Sequence, residues 1–421
     1  MANSLLTISM ITREAIRLWK NSNAFLQNID RQYDTDFGKS GAKIGSSLRI
    51  RLPNDFTVRS GATAAPQDTT EPSTTLTVAT QKGVDVQFSS AERMLSLDDY
   101  SERVLAPAIN NLAGAVAADI ISGSEGVPTL QGKFDGSGNL LSPDASTFLN
   151  AGAYLDMFSA PKANRKIILD PLTQARTVNS LVGLFNPATP LSKQYSSGSM
   201  INALGFDWMM DQTTIKHTTG AYGALGTVNG AAQSGSAVTV SALAGPLNVG
   251  DVISFAGVNS VNRITKVDNG VLMQFTVTAA VAGGATSIPI YPALTPGAVV
   301  YQTVTASPAN GAAITVATKA GTVYRKNFAF LPQAATLVTA DLELPRGVHE
   351  AARESLDGTS MRMVTAYNVT TDQFITRLDI LYGYKWVRPE WACVIPDILY
   401  AAWSPSAEPW TWPSSPEASR G

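Results

Sequence analysis

Two histidines, one cysteine and a small set of arginines are the residues in this 421-residue chain whose types could do chemistry. His217 and His349 lie far apart, and neither stands in an HxH or HExxH spacing, the patterns that bring two imidazoles to one metal. Ordinary polar positions are expected for both. No GxxxxGK[ST] phosphate loop and no GxSxG nucleophile elbow occurs. Gly283-Gly284 reads as a turn. Asp98 and Asp99 are adjacent, and adjacent residues on a helix point apart, so helix capping explains them better than an acid–base pair. Cys393 sits between Ala392 and Val394 in an apolar run and reads as a buried, inert thiol. As the only cysteine it excludes an internal disulfide and a multi-cysteine metal site. No catalytic, cofactor-binding or metal site is expected from these residues, which is a first sign against an enzyme. Arg49, Arg51 and Arg59 remain the most suggestive basic group. They form either a solvated strand face or the partners of acidic residues on a neighbouring molecule.

The elements that hold these residues are set by an unusual composition. Charged residues make up 15% of the chain against 44% hydrophobic ones, and 31 basic residues face 33 acidic ones. Such a chain lacks the self-repulsion that keeps monomers apart, and it carries no overall footprint for nucleic acid. No run of 18 apolar residues is free of glycine or proline, so no membrane span is expected. The N-terminus lacks the basic start and apolar core of a signal peptide, which points to assembly in a cytoplasm.

The segment 96–123, SLDDYSERVLAPAINNLAGAVAADIISG, predicts one long helix. Tyr100, Val104, Ala108, Leu112, Ala115, Val116 and Ile120 form a stripe at helical spacing. Ser96 with Asp99 provides a cap, Gly123 a left-handed stop, and Pro107 an internal kink. Residues 4–28 predict an amphipathic arm with Ile8, Ile11, Ala15, Leu18 and Trp19 on one face. It packs either on its own core or on another copy. Residues 45–90 predict a two-stranded finger. Ser47-Leu-Arg-Ile-Arg-Leu52, Thr75-Leu-Thr-Val78 and Val84-Asp-Val-Gln-Phe88 alternate in it around a polar tip. So long a hairpin is marginal alone and needs a partner surface.

Further on, Ser142-Pro143 predicts the start of a helix to about Ser159. Lys166-Ile-Ile-Leu-Asp170 predicts a strand, and 172–185 a second helix, an α/β pattern. From 222 to 318 only Asp251, Arg263, Lys266 and Asp268 are charged. Short runs around 237–240, 252–255, 264–267, 273–277, 287–290, 299–301 and 314–316 predict an inserted all-β barrel or sandwich. After Pro396, prolines alternate with Trp403, Trp410 and Trp412, which reads as an extended anchor laid on another surface.

The order of these parts resembles the major capsid proteins of tailed bacteriophages, the Hong Kong ninety-seven fold. It is most similar to the short-tailed Salmonella-phage coat proteins with an inserted domain. The stretches that carry the resemblance are the helix from Tyr100 to Asp119, Ile167-Ile-Leu-Asp-Pro171 and Leu184-Phe185-Asn186-Pro187. To these add Gly205-Phe206-Asp207 with His217-Thr-Thr-Gly220, Gly250-Asp-Val-Ile-Ser-Phe-Ala-Gly-Val258, Phe328-Ala-Phe330, and Arg377-Leu-Asp379 with Tyr382-Gly383.

The resemblance implies an α+β fold with an N-terminal arm (1–44), an E-loop β-finger (45–90), a peripheral domain (91–141) whose spine helix is 96–123, and a first axial part (142–221). An inserted β-barrel (222–325), return strands (326–395) and an extended tail (396–421) complete it. It further implies hexamers and pentamers closing into an icosahedral virion shell around double-stranded DNA, bound without sequence specificity. A scaffolding protein and a portal are the implied partners, and a decoration protein is a further candidate. Contacts between copies are expected at Trp19, Arg49, Arg51, Arg59, Trp403, Trp410 and Trp412, with Pro107 as a hinge. An encapsulin-like nanocompartment shell and a carbohydrate-binding or adhesive surface protein are the alternatives. The first predicts protein cargo, the second glycan binding by 222–318 alone.

Overall fold

One helix organises the packing. The computed structural model describes residues 8–33, 46–52, 56, 61–64, 66, 73–89, 101–181, 202–297, 299–371 and 373–399. Within them the spine begins as a π turn, Ser101–Leu105, and continues as the α-helix Ala106–Ser122. The expected cap at Ser96 and Asp99, and Tyr100, lie outside the described residues. Pro107 stands in the first turn of the α segment, directly behind the π turn, where its missing N–H costs least. The buried face is Ile109, Leu112, Ala113, Val116, Ala117, Ile120 and Ile121. It is broader than the predicted stripe, because the helix is covered from two sides.

The expected left-handed stop at Gly123 is corrected. Its φ is −68°, and the chain runs on into the 3-10 turn Gly123–Gly126. Space is what this position requires, since a Cβ would stand 2.8 Å from Tyr384 Cε2. Residues Arg103–Gly126 are long and apolar enough to cross a membrane by length and composition alone. Here the helix packs in the largest core cluster, with Trp19, Phe328, Phe330, Tyr382 and Trp386 among its partners.

Two sheets flank this core. The first has six strands, in the order Asp30–Tyr33, Ala335–Ala340, Gln373–Trp386, Thr359–Asn368, Glu350–Leu356, with Thr80–Ser89 also paired to the long strand Gln373–Trp386. Residues 84–88, expected as part of the finger, therefore belong to this body sheet, where Val84 lines the main core. The finger itself is the ribbon Ser46–Arg51 with Ser73–Val78, in register from Ser46 opposite Val78 to Arg51 opposite Ser73.

The second sheet has seven strands. Lys166–Leu169 runs parallel to Phe206–Met210, and Val323–Phe330 pairs with Ala392–Ile398, Lys166–Leu169 and Lys216–Thr218. Helices Ala145–Met157 and Pro171–Leu181 accompany it. The first is capped by Asp144, whose carboxylate accepts from Thr147 N while Thr147 Oγ1 accepts from Asp144 N. The cap is thus one residue beyond Pro143, not at Ser142. Pro171 opens the second helix in addition to ending the strand, consistent with its preset φ.

The low-charge region builds a five-stranded antiparallel sheet in the order Gly235–Thr239, Ser287–Leu294, Asp268–Val277, Val252–Val261, Ile314–Val316. It encloses its own cluster around Phe255, Phe275, Ile288, Ile290 and Val304. Two expected strands are corrected. Residues 264–267 form the turn between Val252–Val261 and Asp268–Val277, held by the Asn262 carboxamide oxygen accepting from Ile264 N and Thr265 N, with Lys266 at φ +59°. Residues 299–301 lie in a turn as well. Side-chain alternation alone cannot separate a short β run from a turn whose polar residue bonds its own backbone.

Candidate functional site

Three constructions stand out. The first is the root of the ribbon. Leu76 and Val78 are buried against Val338, Ala340 and Leu381, with Leu48 and Ile50 partly covered beside them. Lys385 Nζ donates to Thr75 O at 2.8 Å. Gly383 lies so close beneath that a Cβ there would meet Thr77 O at 2.3 Å. Towards the tip burial falls away: Arg49 and Arg51 are exposed, and Phe56 is 60% exposed. Arg49 Nε donates to Ser73 Oγ at 2.8 Å, which stiffens the pair of strands rather than neutralising the charge.

The second is a clamp on the C-terminal half of the spine helix. Asp119 accepts from the Tyr382 hydroxyl and pairs with Lys82 Nζ at 2.7 Å; Lys82 also donates to Ala115 O at 3.2 Å. Trp386 Nε1 donates to Ile120 O at 2.9 Å. Burial, then the bond to the Asp119 carboxylate, holds the Tyr382 hydroxyl well above the usual phenol range. Next to the clamp, fully buried Asp379 receives Arg362 at 2.5 Å and Arg377 at 2.7 Å. Gly83 leaves room for that carboxylate, which a Cβ would meet at 2.4 Å.

The third is a polar junction where the five-stranded unit meets the body. Asp251, 1% exposed, bonds His217 Nε2 at 2.9 Å and accepts from Gly220 N at 3.0 Å and Asn248 N at 2.8 Å. Gln274 donates to Leu130 O at 3.1 Å and accepts from Leu130 N at 2.9 Å, as a strand neighbour would. Thr276 Oγ1 donates to Glu125 O, and the Tyr291 hydroxyl to Glu390. Burial and the Asp251 charge push the Tyr324 hydroxyl up. Burial also lowers the Lys326 ammonium to about 8, against the opposing pull of Glu125. The Lys326 ammonium donates to Ser124 O at 3.4 Å.

These bonds fix how the two parts sit on each other. Asp251→Asn keeps an acceptor but loses the charge-assisted bonds, so a loss of about 1–2 kcal/mol of stability is expected by urea unfolding. An unchanged midpoint would show that the junction is held by packing alone.

The expected contact residues distribute unevenly. Arg49 and Arg51 lie on the exposed ribbon. Trp19 is corrected: at 1% exposure it is spent in the chain's own core, because Ile16, Trp19 and Phe25 together close the spine helix from one side, and it has no surface left for a neighbour. Arg59, Trp403, Trp410 and Trp412 lie outside the described residues. His217 is a partner of Asp251, and His349 rests against the Phe374 ring at 5.3 Å. Burial raises the Cys393 thiol far above its ordinary value, as for an inert thiol. Among the described residues no three His, Cys, Asp or Glu side chains are grouped to hold a metal. Asp119, Asp251, Lys326 and Gly383 were not singled out from the sequence. The available signal was a charged residue or glycine interrupting an apolar run, helical at Asp119 and β at Lys326 and Gly383.

Buried polar groups here serve to fix parts against each other, and the most exposed construction is a ribbon on a two-residue root. That is the design of a building subunit. A family model, P22 coat protein (gene protein 5), matches residues 9–395, and the chain belongs to that family. It is a major capsid protein, whose copies form the icosahedral shell of a phage virion. The family assignment carries a structural role and favours this over the nanocompartment alternative. No curated protein matches the sequence.

Among solved structures, that of Mycobacterium phage Che8 is 12% identical, covering 89% of this chain and 90% of that one at TM-score 0.41. The capsid of Ralstonia phage GP4 is 8% identical, covering 90% and 91% at TM-score 0.43. The CUS-3 coat protein I-domain is 34% identical over 25% of this chain and 96% of that one, at TM-score 0.17.

Proposed function

We propose that the copies assemble as hexamers and pentamers around double-stranded DNA, with a separate scaffolding protein and a portal. The ribbon Ser46–Arg51 with Ser73–Val78 reaches over the adjacent copy, and Arg49, Arg51 and Arg59 meet acidic side chains there. The observation that carries this reading is the contrast within the ribbon. Its root is buried on Val338, Ala340 and Leu381, while its arginines face outward from a strand pair too small to bury its own faces. The low-charge region supports it as well: its five strands between Gly235 and Val316 enclose a core of their own, as an inserted unit would, before Val323–Phe330 rejoins the body sheet. Nearly balanced charge suits a dense lattice whose inner face meets DNA without gripping it.

The test is Arg49→Glu with Arg51→Glu in the full chain. Folded subunits with the wild-type unfolding midpoint are expected, and electron micrographs should show few or no closed shells, since like charges then face each other across every copy of the contact. Normal yields of closed, DNA-filled shells would remove the ribbon from this role.

A further inference from the structure

We propose that the strand Asp30–Tyr33 is a gate over the sheet edge Ala335–Ala340, and that its catch, Asp211, stands on the other sheet. The guarded strand reads ATLVTA, and all six residues are buried. It is uncharged and rich in β-branched residues, and a bare edge of that kind takes up strands from other chains. On one side it pairs with Gln373–Trp386. On the other, among the described residues, it has the four residues Asp30–Tyr33, running parallel from Asp30 opposite Thr336 to Tyr33 opposite Thr339. The gate itself, DRQY, is polar, and its Asp30 and Arg31 stay half-buried.

What directs the gate is the turn before it. Phe25, Leu26 and Ile29 are buried in the main core, with Phe25 against the Phe330 ring at 5.8 Å, and they form a pivot. Orientation about that pivot is set by Asp211, 4% exposed, directly after the strand Phe206–Met210 of the seven-stranded sheet. Its carboxylate accepts from Phe25 N at 3.0 Å and Asn23 Nδ2 at 3.2 Å on the turn. It also accepts from Thr213 N at 2.8 Å and Thr213 Oγ1 at 2.6 Å on its own loop. Asp211 N donates to Leu169 O at 3.0 Å, which ties that loop to the strand Lys166–Leu169. One carboxylate thus joins the arm to the seven-stranded sheet, while the strand that the arm delivers belongs to the six-stranded one. Such bonds are directional and fail within a shift of about 1 Å, whereas apolar contacts can slide. A displacement of the loop 211–213 therefore frees the turn to rotate and the gate to lift, with the pivot still seated.

The test is amide hydrogen exchange on the unassembled full chain. In Asp211→Ala, the amides of Asp30–Tyr33 and those of Ala335–Ala340 that face them are expected to exchange together, ~10-fold or more faster than in wild type. Amides of the spine helix between Ile109 and Ile121 should keep their wild-type rates. A rise confined to residues 23–29 would mean that Asp211 only caps its own turn. A rise shared by the spine would mean a general loss of stability, and no rise would mean that the apolar pivot alone directs the gate. Each of these outcomes overturns the proposal. Should Asp211→Ala not fold, Thr213→Val removes one of the four donors. It is expected to give a smaller rise at the same amides, and the absence of that rise overturns the proposal equally.

Discussion

Lys326→Met is expected to stabilise the subunit by about 2 kcal/mol at neutral pH, a gain from a substitution in the middle of the core. Lys326 is 2% exposed, on the strand that joins the five-stranded unit back to the body. Its ammonium lies against the Phe328 ring and a single carbonyl, Ser124 O. Burial brings it from 10.5 down to about 8, a depression equivalent to about 3 kcal/mol of penalty on the charged form. Methionine keeps the unbranched stem and removes the charge, and loss of the ammonium's bond to Ser124 O, which still accepts from Val127 N, returns about 1 kcal/mol of that.

The sign with pH follows directly. The folded form releases its proton near pH 8 and the unfolded form near 10.5. Between those values the unfolded chain binds more protons, so wild-type stability from this group rises with pH. The advantage of the methionine variant is therefore full at neutral pH and fades through the alkaline window. Urea unfolding of unassembled subunits at neutral pH and at about pH 10 measures both. A variant less stable than wild type at neutral pH would mean that the ammonium is better solvated than its burial implies.

Lys326 also shows why part of this architecture was legible in the sequence and part was not. Helices and strands with one apolar face announced themselves by period: the arm, the spine, Lys166–Leu169 and the strands around Phe255 and Phe275. The family resemblance came from their order, and the match over residues 9–395 agrees with it. The polar constructions between elements were not visible. Asp251 and His217 are 34 positions apart, Lys82 and Asp119 37, and Asp119 and Tyr382 263. Nothing local marks such a pair, because each partner alone reads as an ordinary charge on a strand or helix. Trp19 failed in the opposite direction. A large aromatic on an amphipathic arm fits a neighbour's groove or its own core equally well, and only the position of the spine helix decides.

Glycine carried the least readable information, and the largest loss is expected there. Gly383→Ala should leave a folded subunit, less stable by about 3 kcal/mol, that does not close into shells. The position is paired with Val338 inside the six-stranded sheet, so its backbone cannot retreat. The new Cβ would meet Thr77 O at 2.3 Å, Leu76 Cδ2 at 2.9 Å and Thr77 C at 2.9 Å. What must move is the backbone of the ribbon, by about 1 Å if an ordinary contact is to be restored, and overpacking of this kind costs about 1–3 kcal/mol or more.

The displaced group is also the fulcrum. Leu76 and Val78 are the ribbon's buried anchors, and the strands run on from them at about 3.3 Å per residue, so a tilt at the root grows towards Arg49 and Arg51. A shell repeats every contact by symmetry and cannot absorb an error that all copies share. Gly136→Ala is the control, since a Cβ there has nothing within 4 Å; it should assemble as wild type does. The measurements are urea midpoints for the subunits and electron micrographs for the shells. Normal shells from Gly383→Ala would mean that the ribbon's direction is set by the neighbour it touches and not by its own root.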